Sequence, residues 1–152
     1  MQNHQIDNLD KMILNALSED ARIPYSELGK RFKVSPATIY VRIEKMRTAG
    51  IIAGTKLAID PKSIGYDVCC FIGITLKSAN DYYSVVDALL KFDEIVEAHF
   101  TTGKYTIFIK IFCRSMDDLQ RVLIDKIQSI DKIRSTETLI SLQTPIQRAI
   151  KI

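Results

Sequence analysis

Cysteine is scarce in this chain, and its placement rules out a cross-linked scaffold. The three present are Cys69, Cys70 and Cys113. Two adjacent residues and one distant one give neither a disulfide framework nor zinc-ligand spacing. On a strand Cys69 and Cys70 face opposite sides, so all three read as small core residues of a reducing compartment. Histidine is scarcer still, His4 and His99 alone. The first lies near the N-terminus and the second is a lone histidine on a strand. No glycine-rich phosphate loop, paired-histidine helix or nucleophile elbow accompanies them, which speaks against an enzyme and against a metal site. Long apolar runs are missing too. Val68 to Ile74 is among the longest, far below the roughly 18 residues of a membrane span. The opening Met-Gln-Asn-His-Gln-Ile-Asp has neither the basic flank nor the apolar centre of a secretory signal, so a cytoplasmic location is expected.

What is present suits a soluble globular chain: 47% hydrophobic and 26% charged residues over 152 positions, enough for one ordinary domain or two small ones. The charge is unevenly spread. Lys30, Arg31, Lys33, Arg42, Lys45, Arg47 and Lys56 face only Glu44 between positions 30 and 56, a net of +6 in a chain whose total is +3. The remainder therefore sums to −3. A patch this concentrated suits a polyanion.

The same stretch carries a helix with its own start and stop signals. Ser35 is a good N-cap, Pro36 fits the first helical position, and Gly50 suits the turn past the end. Ile39, Ile43 and Met46 recur at i, i+4, i+7 and form the buried face. Ala37, Thr38, Val41, Lys45 and Thr48 point the other way, with Tyr40, Arg42 and Arg47 beside them. Before it, Tyr25 to Lys33 reads as a short helix with Leu28 and Phe32 inward, and the two make a helix-turn-helix. Ser35, Pro36, Ala37, Thr38, Tyr40, Val41, Arg42 and Lys45 are the candidate groove-facing residues. Lys30, Arg31, Lys33 and Lys56 are the candidate phosphate contacts. Upstream, Asp7 is expected to cap a first helix running to about Asp20, with Leu9, Ile13, Leu14 and Leu17 buried. Downstream, Ile51 to Asp60 reads as two short strands, a wing. The expected domains are residues 1–61, a hinge at 62–66 around Pro61 and Gly65, and residues 67–152.

The second domain has a different period. Strands are expected at Val68–Lys77, Ile95–Thr102, Tyr105–Cys113 and Ile133–Leu142, with a hairpin turn across Gly103-Lys104. Helices are expected at Ala79–Phe92 and over Met116 to Ile130. The order βαββαβ is ferredoxin-like, giving an α+β chain with both helices on one sheet face. The other face then exposes either Phe71, Phe108 and Phe112 or the set Tyr105, Ile107, Ile109 and Ile111. Such a patch meets a second copy, or else the tail from Gln143 to Ile152 covers it.

The helix-turn-helix, hinge and βαββαβ unit, with Gly65-Tyr-Asp-Val, Phe71-Ile-Gly-Ile, Thr101-Thr-Gly-Lys-Tyr-Thr-Ile-Phe-Ile-Lys and Ser135-Thr-Glu-Thr-Leu-Ile-Ser-Leu-Gln, resemble the Lrp/AsnC (feast/famine) transcription regulators over essentially the whole chain. The resemblance is strongest to the asparagine-responsive members. It implies a homodimer on double-stranded DNA that assembles into octamers or longer arrays and binds an amino-acid effector, L-asparagine, between dimers, with no other cofactor. Many members carry an aspartate where this chain has Thr106, which fits an effector other than leucine. For such a site the candidates are Tyr82, Phe100, Thr101, Thr102, Gly103, Tyr105, Thr106, Gln128, Thr136 and Thr138. Gln128 both donates and accepts, which suits a carboxamide. Two other readings stay open at this point, a nucleoid-associated protein with little sequence preference and an amino-acid sensor whose first sixty residues dock a protein.

Overall fold

The computed structural model describes residues 5–152, so His4 lies outside the described residues. The described residues form two compact units, residues 5–58 with 146–152 and residues 59–145.

The first unit is built on three helices, α1 (Asn8–Glu19), α2 (Tyr25–Phe32) and α3 (Pro36–Thr48). Asp7 caps α1 as expected, and the cap is reciprocal: each of Asp7 and Asp10 accepts from the backbone N–H of the other. That satisfies two of the donors a helix start leaves unpaired. Ile13, Leu14 and Ala16 of α1, Leu28 of α2 and Ile39, Ile43 and Met46 of α3 make one buried cluster. At about 1.5–3 kcal/mol for each large side chain taken out of water, this small core is what holds the helices together.

The turn between α2 and α3 is tight for a visible reason. Lys33 takes a left-handed φ of 58° and closes α2. A Cβ on Gly29 would stand 2.8 Å from the Val34 carbonyl oxygen and 3.3 Å from the Pro36 nitrogen. Only glycine lets the two backbones come this close.

The expected wing is not present as strands. Ile51 and Ile52 pack against the helical core, but residues 53–60 form no strand, and Leu57 and Ile59 are exposed. With Leu57 and Ile59 exposed instead of packed, a two-stranded ribbon here would be marginal. The expected boundary also needs correction at the far end of the chain. Residues 146–152 belong to the first unit and not to the unit of the sheet. The side chain of Asn15 fixes them, donating to the Ile152 carbonyl at 2.8 Å and accepting from its N–H at 3.1 Å.

The second unit is the βαββαβ fold. Its elements are β1 (Val68–Leu76), α4 (Tyr82–Leu89), β2 (Ile95–Phe100), β3 (Ile107–Cys113), α5 (Met116–Arg121) and β4 (Ile133–Ile140). The sheet is antiparallel in the order β2-β3-β1-β4. Its core joins Cys70, Ile72, Ile74 and Leu76 to Ile107, Ile109, Ile111 and Cys113 and to Val85, Leu89, Leu119, Val122 and Ile127 from the helices. Burial pushes the Cys70 thiol up to about 12 and the Cys113 thiol up to about 11, so both are inert fillers of that core.

Three details differ from expectation. The helix after Met116 changes at Arg121 into one π-helical stretch, Val122–Ile127, and Gln128 caps it. The β2–β3 connection is longer than a two-residue hairpin. It runs from Thr101 to Thr106, closed by the Thr101 N–H on the Thr106 carbonyl at 3.1 Å. Because β3 begins only at Ile107, Tyr105 lies outside the strand and does not share a face with Ile107, Ile109 and Ile111. Its ring lies against Gly73 instead, on the face of Phe71 and Phe108. That face, with Phe71 and Phe108 stacked at 5.8 Å and the Lys110 ammonium 5.5 Å from the Phe112 ring centre, is the one the helices leave uncovered.

Candidate functional site

The start of α3 is fixed by its own sequence. Ser35 Oγ accepts from the Thr38 N–H at 3.0 Å and lies 2.8 Å from the Thr38 hydroxyl. Pro36 follows at the first helical position. With Ile39, Ile43 and Met46 wholly buried, α3 can turn only its other side outward. Ser35, Pro36, Ala37, Tyr40, Val41 and Lys45 are exposed, and Thr38 is half-buried beside its cap. Tyr40 leans on the ring of Tyr25 at 6.3 Å. Lys30, Arg31, Lys33 and Lys56 are exposed as well.

Two basic side chains are not turned to this surface as free cations. Arg47 pairs with Glu44 at 2.6 Å. Arg42 reaches back to α1, where its Nη1 donates to the Asp7 carboxylate and to Asp10 Oδ1 at 3.1 Å. Its guanidinium holds the Asp7 carboxyl below the usual 3.8. The sequence placed Arg42 on the flank of the outer face because helical spacing carries no information about a partner thirty-five residues earlier. The readable trace was the Asp-x-x-Asp at the start of α1.

The candidate effector residues fall on both sides of the sheet and in the loop beyond its end. Phe100 pairs with Ile107, Thr136 with Ile74 and Thr138 with Ile72, so all three share the helix-covered face. There Gln128 Nε2 donates to Thr136 Oγ1 at 3.2 Å, and the rings of Tyr82 and Phe100 meet edge to face at 4.7 Å. Thr102 and Gly103 are exposed in the loop, Gly103 with φ 108°. Thr101 and Thr106 are used internally: the Thr101 hydroxyl donates to the Tyr105 carbonyl at 2.7 Å, and the Thr106 N–H to Ile74 at 2.8 Å. Tyr105 stands apart on the opposite face, its hydroxyl on Glu137, which also holds the Lys104 ammonium. Those two bonds keep the Glu137 carboxyl below its ordinary value. The groove between α4 and β2, lined by Val86, Leu90, Phe92, Val96 and Ala98, includes none of these candidates.

A helix-turn-helix with a basic outer face, joined to a separate βαββαβ unit, defines a two-part DNA-binding transcription regulator. The comparisons agree along the whole chain. Residues 6–47 match the AsnC-type helix-turn-helix domain, and residues 69–150 match the Lrp/AsnC ligand binding domain. The chain belongs to the Lrp/AsnC family. It is 61% identical over 151 residues to the regulatory protein AsnC of Escherichia coli K12, covering 99% of each chain, and 60% identical over 148 residues to that of Haemophilus influenzae, covering 97% and 99%. The solved structure of E. coli AsnC superposes with a TM-score of 0.94 at 60% identity, over 98% of this chain and 100% of that one. The protein is thus a DNA-binding transcriptional regulator of amino-acid metabolism. Among the described residues no helix is long and apolar enough to cross a membrane.

Proposed function

We propose that this regulator works in the cytoplasm, that it is not an enzyme, and that L-asparagine bound to its second unit modulates its hold on an operator. The observation that carries the effector reading is the Gln128–Thr136 pair. Gln128 donates through Nε2 to Thr136, and its amide group both donates and accepts, as a carboxamide ligand requires. Thr102, Gly103 and the backbone amides of that loop are the candidates for the zwitterion, with Tyr82 and Phe100 as a wall. The family resemblance implies an aspartate at the position of Thr106, and the uncharged threonine there fits an effector other than leucine. The high identity to proteins named AsnC supports the same choice.

The uncovered sheet face of Phe71, Phe108 and Phe112 supports assembly through a second copy, and dimers so formed build the octamer or longer array. On the DNA side, Ala37, Thr38, Tyr40, Val41 and Lys45 face the groove, and Lys30, Arg31, Lys33 and Lys56 meet phosphates. Calorimetry with asparagine, glutamine, aspartate and leucine on the native protein and on Gln128→Leu tests the effector. Asparagine should bind best, and the substitution should weaken it by about ten-fold or more, since it strands a polar group. Equal affinity for asparagine and leucine overturns the assignment. A regulator of this kind also prefers its operator to random DNA, whereas a nucleoid protein binds both alike.

A further inference from the structure

Arg42 sits in the middle of the helix that presents Tyr40, Val41 and Lys45, yet its guanidinium is built into the other side of the unit. Asp7 and Asp10 each give one carboxylate oxygen to the reciprocal cap of α1. Asp7 accepts from the Asp10 N–H at 2.9 Å and Asp10 from the Asp7 N–H at 3.3 Å. Each gives its other oxygen to the same nitrogen, Arg42 Nη1. The socket is made within four consecutive residues, Asp7 to Asp10, whose carboxylates are each tied to the other's backbone N–H.

Asp10 is the one buried charged residue among those described. A buried carboxylate favours a cation held in good geometry, and Arg42 supplies one at 3.1 Å. To reach a phosphate or a base edge, Arg42 would have to give up its bonds to both carboxylates. Its own charge is meanwhile offset by two carboxylates, so it adds little to the field that draws DNA. Lys45, one turn further on, is exposed and has no such partner among the described residues.

We propose that Arg42 is a positioning residue: it fixes the angle at which α3 packs on α1, and so where the reading face lies, without touching DNA. A residue of this kind governs discrimination. Random duplex is bound through phosphates, which tolerate a small rotation of the helix, whereas base edges do not. Functional groups need placement within about 0.5 Å to read a partner correctly.

The proposal rests on α3 being the helix that meets DNA, and the test separates the two. The full chain is titrated by fluorescence anisotropy against two duplexes over a salt series. One duplex is recovered from a random pool by selection with the unmodified protein, and the other is its scrambled sequence. Asp7→Asn is the decisive variant. It makes the unit more basic, so electrostatics alone would tighten every complex. Positioning instead requires that the selected duplex weaken by about five-fold or more, the lower end of what one impaired base contact costs, while the scrambled duplex does not weaken. Arg42→Lys, which keeps the charge but loses the planar fork, should behave in the same way. The double variant should lose no more than either single one. A variant that was merely unstable would lose both duplexes in proportion.

Unchanged or tighter binding of the selected duplex by Asp7→Asn overturns the proposal. So does a fall of about one in the salt slope for Arg42→Gln, the mark of a lost phosphate contact. Lys45→Ala tells the two readings apart: no effect there brings down the α3 interface itself, whereas an effect there with none for Asp7→Asn brings down only the positioning role.

Discussion

Tyr105 occupies the space that a side chain at Gly73 would fill. A Cβ built on Gly73 would stand 2.5 Å from Tyr105 Cγ and 2.6 Å and 2.7 Å from the two ring carbons beyond it. Glycine in the middle of a strand lacks a side chain to pack, and here the ring of a residue thirty-two positions later supplies the cover.

Gly73→Ala should therefore push Tyr105 off the sheet and break its bond to Glu137. Overfilling of this sort costs about 1–3 kcal/mol. Urea unfolding should show the loss, and Tyr105→Ala in the same chain should recover part of it. Additive losses in the double variant would show that the two residues do not compete for one space.

Gly29→Ala faces backbone on both sides, the Val34 carbonyl and the Pro36 nitrogen. Alanine favours a helix by about 0.8–1 kcal/mol over glycine, so propensity alone predicts a more stable unit. The clash predicts the reverse, a net loss of about 1 kcal/mol or more with a looser turn. The direction of the shift in urea midpoint settles which effect wins.

Acid should release the socket of Arg42. The guanidinium and the Asp10 N–H hold the Asp7 carboxyl below its ordinary 3.8. A carboxyl depressed on folding contributes stability above its unfolded value and loses it as the pH falls through the folded one. Stability attributable to Asp7 should thus be constant above about pH 5 and decline below pH 4, a decline that Asp7→Asn removes. Chemical denaturation at a series of pH values compares the two. Parallel curves would show that Asp7 contributes nothing in this window.

The sheet unit should assemble by itself. A fragment of residues 59–145, cut where the units divide, should sediment as a dimer or larger, since Phe71, Phe108 and Phe112 are on the open face. A monomer would remove this face as the interface. Extending the fragment to Ile152 adds Ile146 and Ile150, both largely exposed, and should make it more prone to aggregate.

Much of this was readable because it is local. Asp7 and Ser35 announce their helices through bonds that span three residues, and the strands announce themselves by alternation. Ile39, Ile43 and Met46 are buried as their spacing requires. The failures are the long-range items. Arg42 looked like a groove residue because its partners lie on another helix. Tyr105 continued an alternation that the backbone had not yet begun. The π-helical stretch before Gln128 leaves no mark in the pattern of apolar residues, and the tail after Gln143 has no period at all. The candidate effector residues were chosen one by one for their chemistry, and the fold joins only some of them: Gln128 with Thr136, and Tyr82 with Phe100.

The tail carries one more implication. Asn15 binds position 152 through its main chain alone, accepting from the N–H and donating to the carbonyl. Any amino acid other than proline offers the same two groups there. The first unit is thus discontinuous in the gene, its final stretch encoded after the whole sheet. A recombination that exchanged everything downstream of residue 60 for a homologous module would replace that stretch as well. The incoming segment would need the right length to bring a main-chain N–H and carbonyl to Asn15, and an apolar side chain to lie beside Leu14 and Leu17 as Ile152 does. Swaps between relatives are therefore sensitive to insertions or deletions in this seam.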